Sequence, residues 1–111
     1  MTPSLGRFEE LILFALISLD DGAYGAAIGR EIEGRTGRTI STGALYTVLD
    51  RLETRGLLSS WIGEPRAERG GRRRKYYRLE AAGVATLRRS HEELKRMTRG
   101  LGNKLAALSD T

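Results

Sequence analysis

Cysteine is absent from the 111 residues, and histidine occurs once, at His91. The first absence removes disulfide staples, thiolate nucleophiles and Cys-ligated zinc together. The second puts a histidine-rich metal site out of reach of a single chain. Long apolar runs are missing too. The longest near-apolar stretch, Leu11 to Leu19, is nine residues with Ser18 inside it, whereas a bilayer span needs roughly 20. The opening MTPSLGRFEE has no basic segment followed by an apolar one, so no secretory signal is visible and a cytoplasmic location is expected. What is present is the composition of an ordinary globular chain, 40% apolar and 30% charged, long enough for one core.

Catalytic constellations do not assemble. His91-Glu92-Glu93-Leu94-Lys95 begins like a His-Glu-x-x-His zinc motif but ends in lysine. No phosphate loop with its Lys-Ser or Lys-Thr end exists. The acid pairs Asp20-Asp21 and Glu92-Glu93 are sequence neighbours and read as solvated surface, and a Ser-His-acid triad would have to use His91 on an apolar seam. The expectation is a non-enzyme with no cofactor and no metal, because sites need convergent groups and none converge.

Charge is concentrated. The net is +5, yet residues 66–78 hold seven basic side chains against one acid, Glu68, so that segment carries +6 and the other 98 residues −1. Such a cluster is the footprint of a polyanion-binding patch, or else a solvated loop that happens to carry arginines.

Apolar spacing lays out the elements. Leu5, Phe8, Leu11, Ile12, Leu16 and Leu19 recur at helical intervals, while Leu13, Phe14 and Ile17 fill much of the opposite side. A helix apolar on nearly all sides must be covered on nearly all sides, by a second chain or by burial within one domain. Asp20-Asp21-Gly22 ends it, with glycine supplying the positive φ. Tyr24, Ile28 and Ile32 mark a shorter second helix. Gly25 and Gly29 weaken it by roughly 1 kcal/mol each, so packing must hold it. After a glycine-containing turn, Ser41 caps a third helix with Leu45, Val48, Leu49 and Leu52 at i, i+3, i+4, i+7 and Gly56 as its stop. Its outer face carries Thr42, Gly43, Tyr46, Thr47, Asp50, Arg51, Thr54 and Arg55, and its first turn has no acid, so the dipole end is free to meet a phosphate. Strand-like runs over 57–62 and 73–79 flank a Gly- and Pro-punctuated basic connection, which predicts a hairpin with a basic tip. From about Ala81, Val84, Leu87, His91, Leu94, Thr98, Leu101, Leu105 and Leu108 trace a heptad seam, firm to about Arg99, beyond which Gly100 and Gly102 loosen the helix or restart it.

The order helix, helix, helix, strand, basic loop, strand, helix, with a short turn between the second and third helices, is that of a helix-turn-helix with a wing. In such folds the second helix of the pair puts its N-terminal residues at base edges in the major groove, and wing arginines reach phosphate or the minor groove.

Ser41-Thr42-Gly43-Ala44-Leu45-Tyr46, then Leu49, Leu52-Glu53 and Gly56-Leu57, resembles the PadR-type bacterial transcription regulators. So do Tyr24-Gly25 with Ile28 and Ile32, and Gly71-Arg72-Arg73-Arg74-Lys75-Tyr76-Tyr77-Arg78-Leu79 followed by Ala81-Ala82-Gly83. The resemblance covers about residues 5–90. It implies a mostly α fold with a small β-hairpin (α+β), a winged helix-turn-helix over 1–80 with a long C-terminal dimerisation helix over 81–111. It implies a homodimer joined through the first and last helices, with Phe8, Leu11, Val84, Leu87, His91, Leu94 and Leu101 at the interface. It implies double-stranded DNA as partner, bound at two half-sites and usually for repression, with Ser41, Thr42, Gly43, Tyr46 and Thr47 at the reading end and Arg72, Arg73, Arg74 and Lys75 in the wing. It allows a small-molecule effector of unidentified chemistry near the dimer interface. Two departures stand out: Thr47 where the family often has proline, and Glu80 where a threonine usually caps the last helix. A carboxylate at Glu80 can still accept N–H bonds and suits the dipole, so the helix is expected to survive, with local stability changed by up to roughly 1 kcal/mol. Two other classes fit the residues: a winged-helix protein-interaction module whose arginines meet an acidic partner, and a sequence-independent nucleic-acid binder.

Overall fold

The computed structural model describes residues 4–63 and 73–109, with helices α1 (Arg7–Leu19), α2 (Gly25–Thr36), α3 (Thr42–Thr54), α4 (Ala81–Thr98) and α5 (Gly102–Ser109) and strands β1 (Leu58–Ile62) and β2 (Lys75–Leu79). Helix α1 starts where the Glu9 carboxylate accepts the Gly6 N–H at 2.7 Å. It buries Ile12, Leu13 and Leu16. Leu13, which the sequence assigned to the second face, is fully covered by its own domain, whereas Phe14 and Ile17 remain 39% and 55% exposed. The helix ends in a single 3₁₀ turn, Asp20–Gly22. Here the positive φ falls on Asp20 (52°) rather than on Gly22. Aspartate is among the few residues that tolerate that region.

Helices α2 and α3 form the helix-turn-helix. Gly37, at φ 74°, closes α2 and donates its N–H to the Glu33 carbonyl. The Glu33 carboxylate accepts the Ile40 N–H at 3.0 Å, which pins the turn between the two helices. Ser41 Oγ accepts the Ala44 N–H at 3.3 Å, the expected cap, of a kind that contributes about 1 kcal/mol. Leu45, Leu49 and Leu52 then point into the core and Gly56 (φ 77°) ends the turn after α3.

The hairpin is antiparallel, with Leu58 opposite Leu79 and Trp61 opposite Tyr76. A third backbone segment joins its edge. Tyr24 bridges to Tyr76, and the Tyr77 N–H donates to the Ala23 carbonyl at 2.8 Å. The wing is thereby sewn to the start of α2.

Helix α4 forms with Glu80 at its N-cap. The Glu80 side chain makes no capping bond. Its backbone does the work instead: the N–H donates to the Leu57 carbonyl and the carbonyl accepts the Val84 N–H, both at 3.0 Å. The long C-terminal helix α4 ends at Thr98, and after Gly100 (φ 75°) the chain restarts as the short helix α5, one of the two outcomes the glycines at 100 and 102 led to expect. The described part of the protein extends 54 × 34 × 22 Å with a radius of gyration of 16.4 Å, against about 13 Å for a compact chain of this length. The end of α4 and all of α5 account for the excess, since every residue from 91 to 109 is exposed.

The core gathers Ile12, Leu13, Ile28, Leu49, Leu52, Leu58 and Tyr77 from every layer. Tyr77 is 1% exposed, and burial, reinforced by the nearby Tyr46, Asp50 and Glu53, pushes its phenol up to about 12. The unfolded chain ionises this group near 10, so it loses its proton first as pH rises. Stability should therefore be level with respect to this group below pH 10 and fall by about 2–3 kcal/mol between pH 10 and 12. Urea unfolding across that range, compared with Tyr77→Phe, isolates the effect. A parallel decline in the phenylalanine variant would assign it to other groups.

Candidate nucleic-acid interface

At the start of α3, Ser41, Thr42, Gly43, Tyr46 and Thr47 are all exposed, and no acid stands in the first turn. Four of them present small polar groups or backbone beside an uncompensated dipole end, a surface suited to a polyanion. Tyr46 is 40% exposed and leans on α2. A Cβ built on Gly25 would come within 2.1 Å of the Tyr46 hydroxyl oxygen, so the aromatic ring lies across the first turn of α2 because position 25 is glycine. Arg30, Ile40, Thr42 and Tyr46 line one cleft between α2 and α3.

Farther along α3, Arg51 is exposed but Arg55 is not on the outer face where the spacing put it. Its guanidinium is 20% exposed and lies 3.3 Å from the Glu9 carboxylate, tying α3 to α1. The spacing records the helical position of Arg55 and not the Glu9 carboxylate that α1 places against it.

In the wing, Arg73 and Lys75 are exposed, and Arg72 lies outside the described residues. Arg74 is held: its guanidinium carbon is 3.9 Å from the centre of the Tyr24 ring. That ring meets Tyr76 edge-on at 5.8 Å, and Tyr76 stacks on Trp61 at 5.6 Å, with Arg78 above Trp61 at 4.6 Å. Arg30 donates from Nη2 to the Tyr24 hydroxyl at 2.7 Å. That bond, together with the charges of Arg30 and Arg74, holds the Tyr24 phenol below its ordinary value, while partial burial works the other way. Tyr24 and Arg30 were not among the residues the sequence singled out for DNA contact. Fifty residues separate Tyr24 from Arg74, and nothing local distinguishes Arg30 from Arg35 or Arg38.

The reading end and the wing base are thus continuous, because Arg30 borders Thr42 and Tyr46 on one side and bonds Tyr24, the seat of Arg74, on the other.

A second surface is apolar. Val84, Leu94 and Leu101 are 38–40% exposed, and Met97, Leu105 and Leu108 66–71%. His91, also exposed, meets Phe14 edge-on at 5.4 Å. Of the seven residues the sequence put at the dimer interface, three are covered wholly or in part by this chain's own domain. Leu87 is 3% exposed and belongs to this chain's own core, since the first turns of α4 rest on the domain. Phe8 and Leu11 are half-buried against the same core. Beside this surface a groove of about 570 Å³ opens between α1 and α2, floored by Leu11, Phe14, Ile17 and Ile32. At its mouth Ser18 donates to the Glu31 carboxylate, which also pairs with Arg35 at 2.7 Å. These two bonds hold the Glu31 carboxyl below its ordinary value.

Among the described residues no group of three His, Asp or Glu side chains is placed to hold a metal ion, and no helix is long and apolar enough to cross a membrane.

This geometry has counterparts. A transcriptional regulator of Mycobacterium tuberculosis is 42% identical over 84 residues, 73% of this chain and 74% of its own. The crystal structure of a PadR family transcription regulator from Clostridium difficile superposes with a TM-score of 0.74 at 27% identity, covering 90% of this chain and 99% of that one. A padr family transcriptional regulator from Eggerthella lenta superposes with a TM-score of 0.68 at 31% identity, over 89% and 84% of the two chains. Residues 13–89 match the transcriptional regulator PadR-like family, a range that runs from the middle of α1 through the helix-turn-helix and the hairpin to the middle of α4. With its winged helix-turn-helix and projecting C-terminal helices, the chain belongs to the PadR-like family of transcriptional regulators.

Proposed function

We propose that the protein is a sequence-specific DNA-binding repressor, acting in the cytoplasm as a homodimer on an operator with two half-sites. One observation carries the DNA surface: the acid-free start of α3 and the base of the wing are joined through Arg30 and Tyr24 into one continuous face that carries Arg30 and Arg74. Ser41, Thr42, Gly43, Tyr46 and Thr47 read the major groove from there, and Arg72, Arg73, Arg74 and Lys75 neutralise flanking phosphate. Residues 1–80 form the DNA-binding unit and 81–111 the dimerisation element. The uncovered faces of α1, α4 and α5 support this division, through Phe14, Val84, His91, Leu94 and Leu101 together with Ile17, Met97 and Leu105. In a symmetric dimer the two α3 helices enter successive major-groove faces roughly 34 Å apart. Repression is occupancy of the operator. A small molecule near the dimer interface acts only if it binds one arrangement of the half-dimers better than the other.

Selection from a pool of random-sequence duplexes tests the proposal. The selected DNA should converge on a sequence with internal two-fold symmetry, and near physiological salt it should bind about a thousandfold or more tighter than a scrambled duplex of equal length. Binding without convergence would leave sequence-independent association. Absence of binding at micromolar protein would move the assignment to a protein-interaction module.

A further inference from the structure

Two arginines from different elements converge on one aromatic ring at the edge of the proposed DNA face. Arg74 of the wing lies over the Tyr24 ring at 3.9 Å. Arg30 of α2 lies 5.7 Å from the same ring centre and donates to its hydroxyl at 2.7 Å. Among the described residues neither guanidinium forms an ion pair with a carboxylate. Elsewhere in the protein arginines near acids are paired: Arg35 with Glu31 at 2.7 Å and Arg55 with Glu9 at 3.3 Å. An aromatic ring and a phenol oxygen hold a guanidinium in place without cancelling its charge, whereas a carboxylate cancels it. Tyr24 is itself fixed by its backbone bridge to Tyr76 and by edge-on contact with that ring, which stacks on Trp61. The ring is therefore held from both sides, and among the described residues neither charge on it is paired, Asp21 and Glu33 lining the adjoining clefts without forming an ion pair with either arginine.

We infer that Arg30 and Arg74 form a two-arginine clamp for a DNA backbone phosphate, with Tyr24 as the positioning residue that orients both. The inference rests on the DNA-binding proposal and adds to it a contact from α2 and a role for Tyr24. Fixing both side chains beforehand removes part of the ordering cost that free arginines meet on binding. The phosphate in turn relieves the repulsion between two like charges held on one ring. Since the contact is to backbone, it serves every sequence alike.

The test is a salt titration of DNA affinity, read on the selected and the scrambled duplex. Arg30→Gln and Arg74→Gln should each lower the slope of log affinity against log salt by about 1, and weaken binding about 5–10-fold near 0.1 M salt on both duplexes equally. Arg35→Gln, at the far end of α2, should leave the slope unchanged. Tyr24→Phe keeps the ring beneath Arg74 and loses only the hydroxyl. It should reproduce the Arg30→Gln loss of slope and have no further effect in an Arg30→Gln background, while thermal unfolding stays within a few degrees of wild type. A purely structural tyrosine would lower the melting temperature and leave the slope alone. Wild-type slopes for both arginine variants would overturn the clamp while leaving DNA binding standing. So would additive effects of Tyr24→Phe and Arg30→Gln, or a loss confined to the selected duplex. A wild-type protein that binds neither duplex would overturn the DNA-binding proposal and the clamp with it.

Discussion

Gly83→Ala is expected to destabilise the protein by about 3 kcal/mol or more and to release α4 from the winged domain. A Cβ at that position would stand 2.0 Å from the Leu57 carbonyl oxygen and 3.0 Å from its carbonyl carbon. Both are backbone atoms, so no side-chain rotation relieves the overlap. The same carbonyl accepts the Glu80 N–H, the bond that starts α4 in place of the missing side-chain cap. Moving α4 away to admit one methyl group therefore breaks that bond and lifts Leu87 and Tyr77 from their shared core. Gly34→Ala is the matching control, since a Cβ there meets nothing within 4 Å and alanine suits a helix interior. That variant should be more stable by up to about 1 kcal/mol. Urea unfolding followed by circular dichroism measures both. A Gly83→Ala midpoint close to that of wild type would show that α4 docks without this approach.

Legibility from the sequence divides along the range of the interactions. The bounds and core face of helix α3 could be read because its Ser41 cap, its apolar spacing and its Gly56 stop are local and agree. The hairpin was legible within two residues at its ends, for the same reason. Which partner covers an apolar face was not legible. Leu13 and Leu87 carry the same periodicity as Phe14 and Leu94, yet the first two lie in the chain's own core and the last two face out. Periodicity records that a face is apolar and not what lies against it. The break in the heptad seam at Gly100, where a positive φ divides the helix, was by contrast marked locally by the glycines at 100 and 102. The least legible part of the site was the link between its halves. Ser41 through Thr47 and the wing arginines stood out by pattern and charge, whereas Tyr24 and Arg30 acquire their positions only when the wing folds back on α2.

Leu94→Glu with Leu105→Glu is expected to convert a dimer to a monomer while leaving the helical content of the chain unchanged. The two leucines are 40% and 66% exposed in the single chain, so a carboxylate there meets water and the domain core is undisturbed. Across a dimer seam each would replace an apolar contribution of about 1.5–3 kcal/mol with a charge that must be desolvated. Two sites on each of two chains together should raise the dimer dissociation constant by at least about a thousandfold, since each 1.4 kcal/mol is a factor of ten. Sedimentation velocity at micromolar concentration should then show wild type at twice the monomer mass and the variant at 12.3 kDa. DNA binding separates the two halves of the proposal. A monomer keeps the whole α3, Tyr24 and wing surface, so it should still bind one half-site with an undiminished salt slope per chain, but lose the tighter binding that comes from linking two half-sites. A wild-type protein that sediments as a monomer would leave the faces of α1, α4 and α5 to another partner. A double variant that remains a dimer would place the interface off the seam.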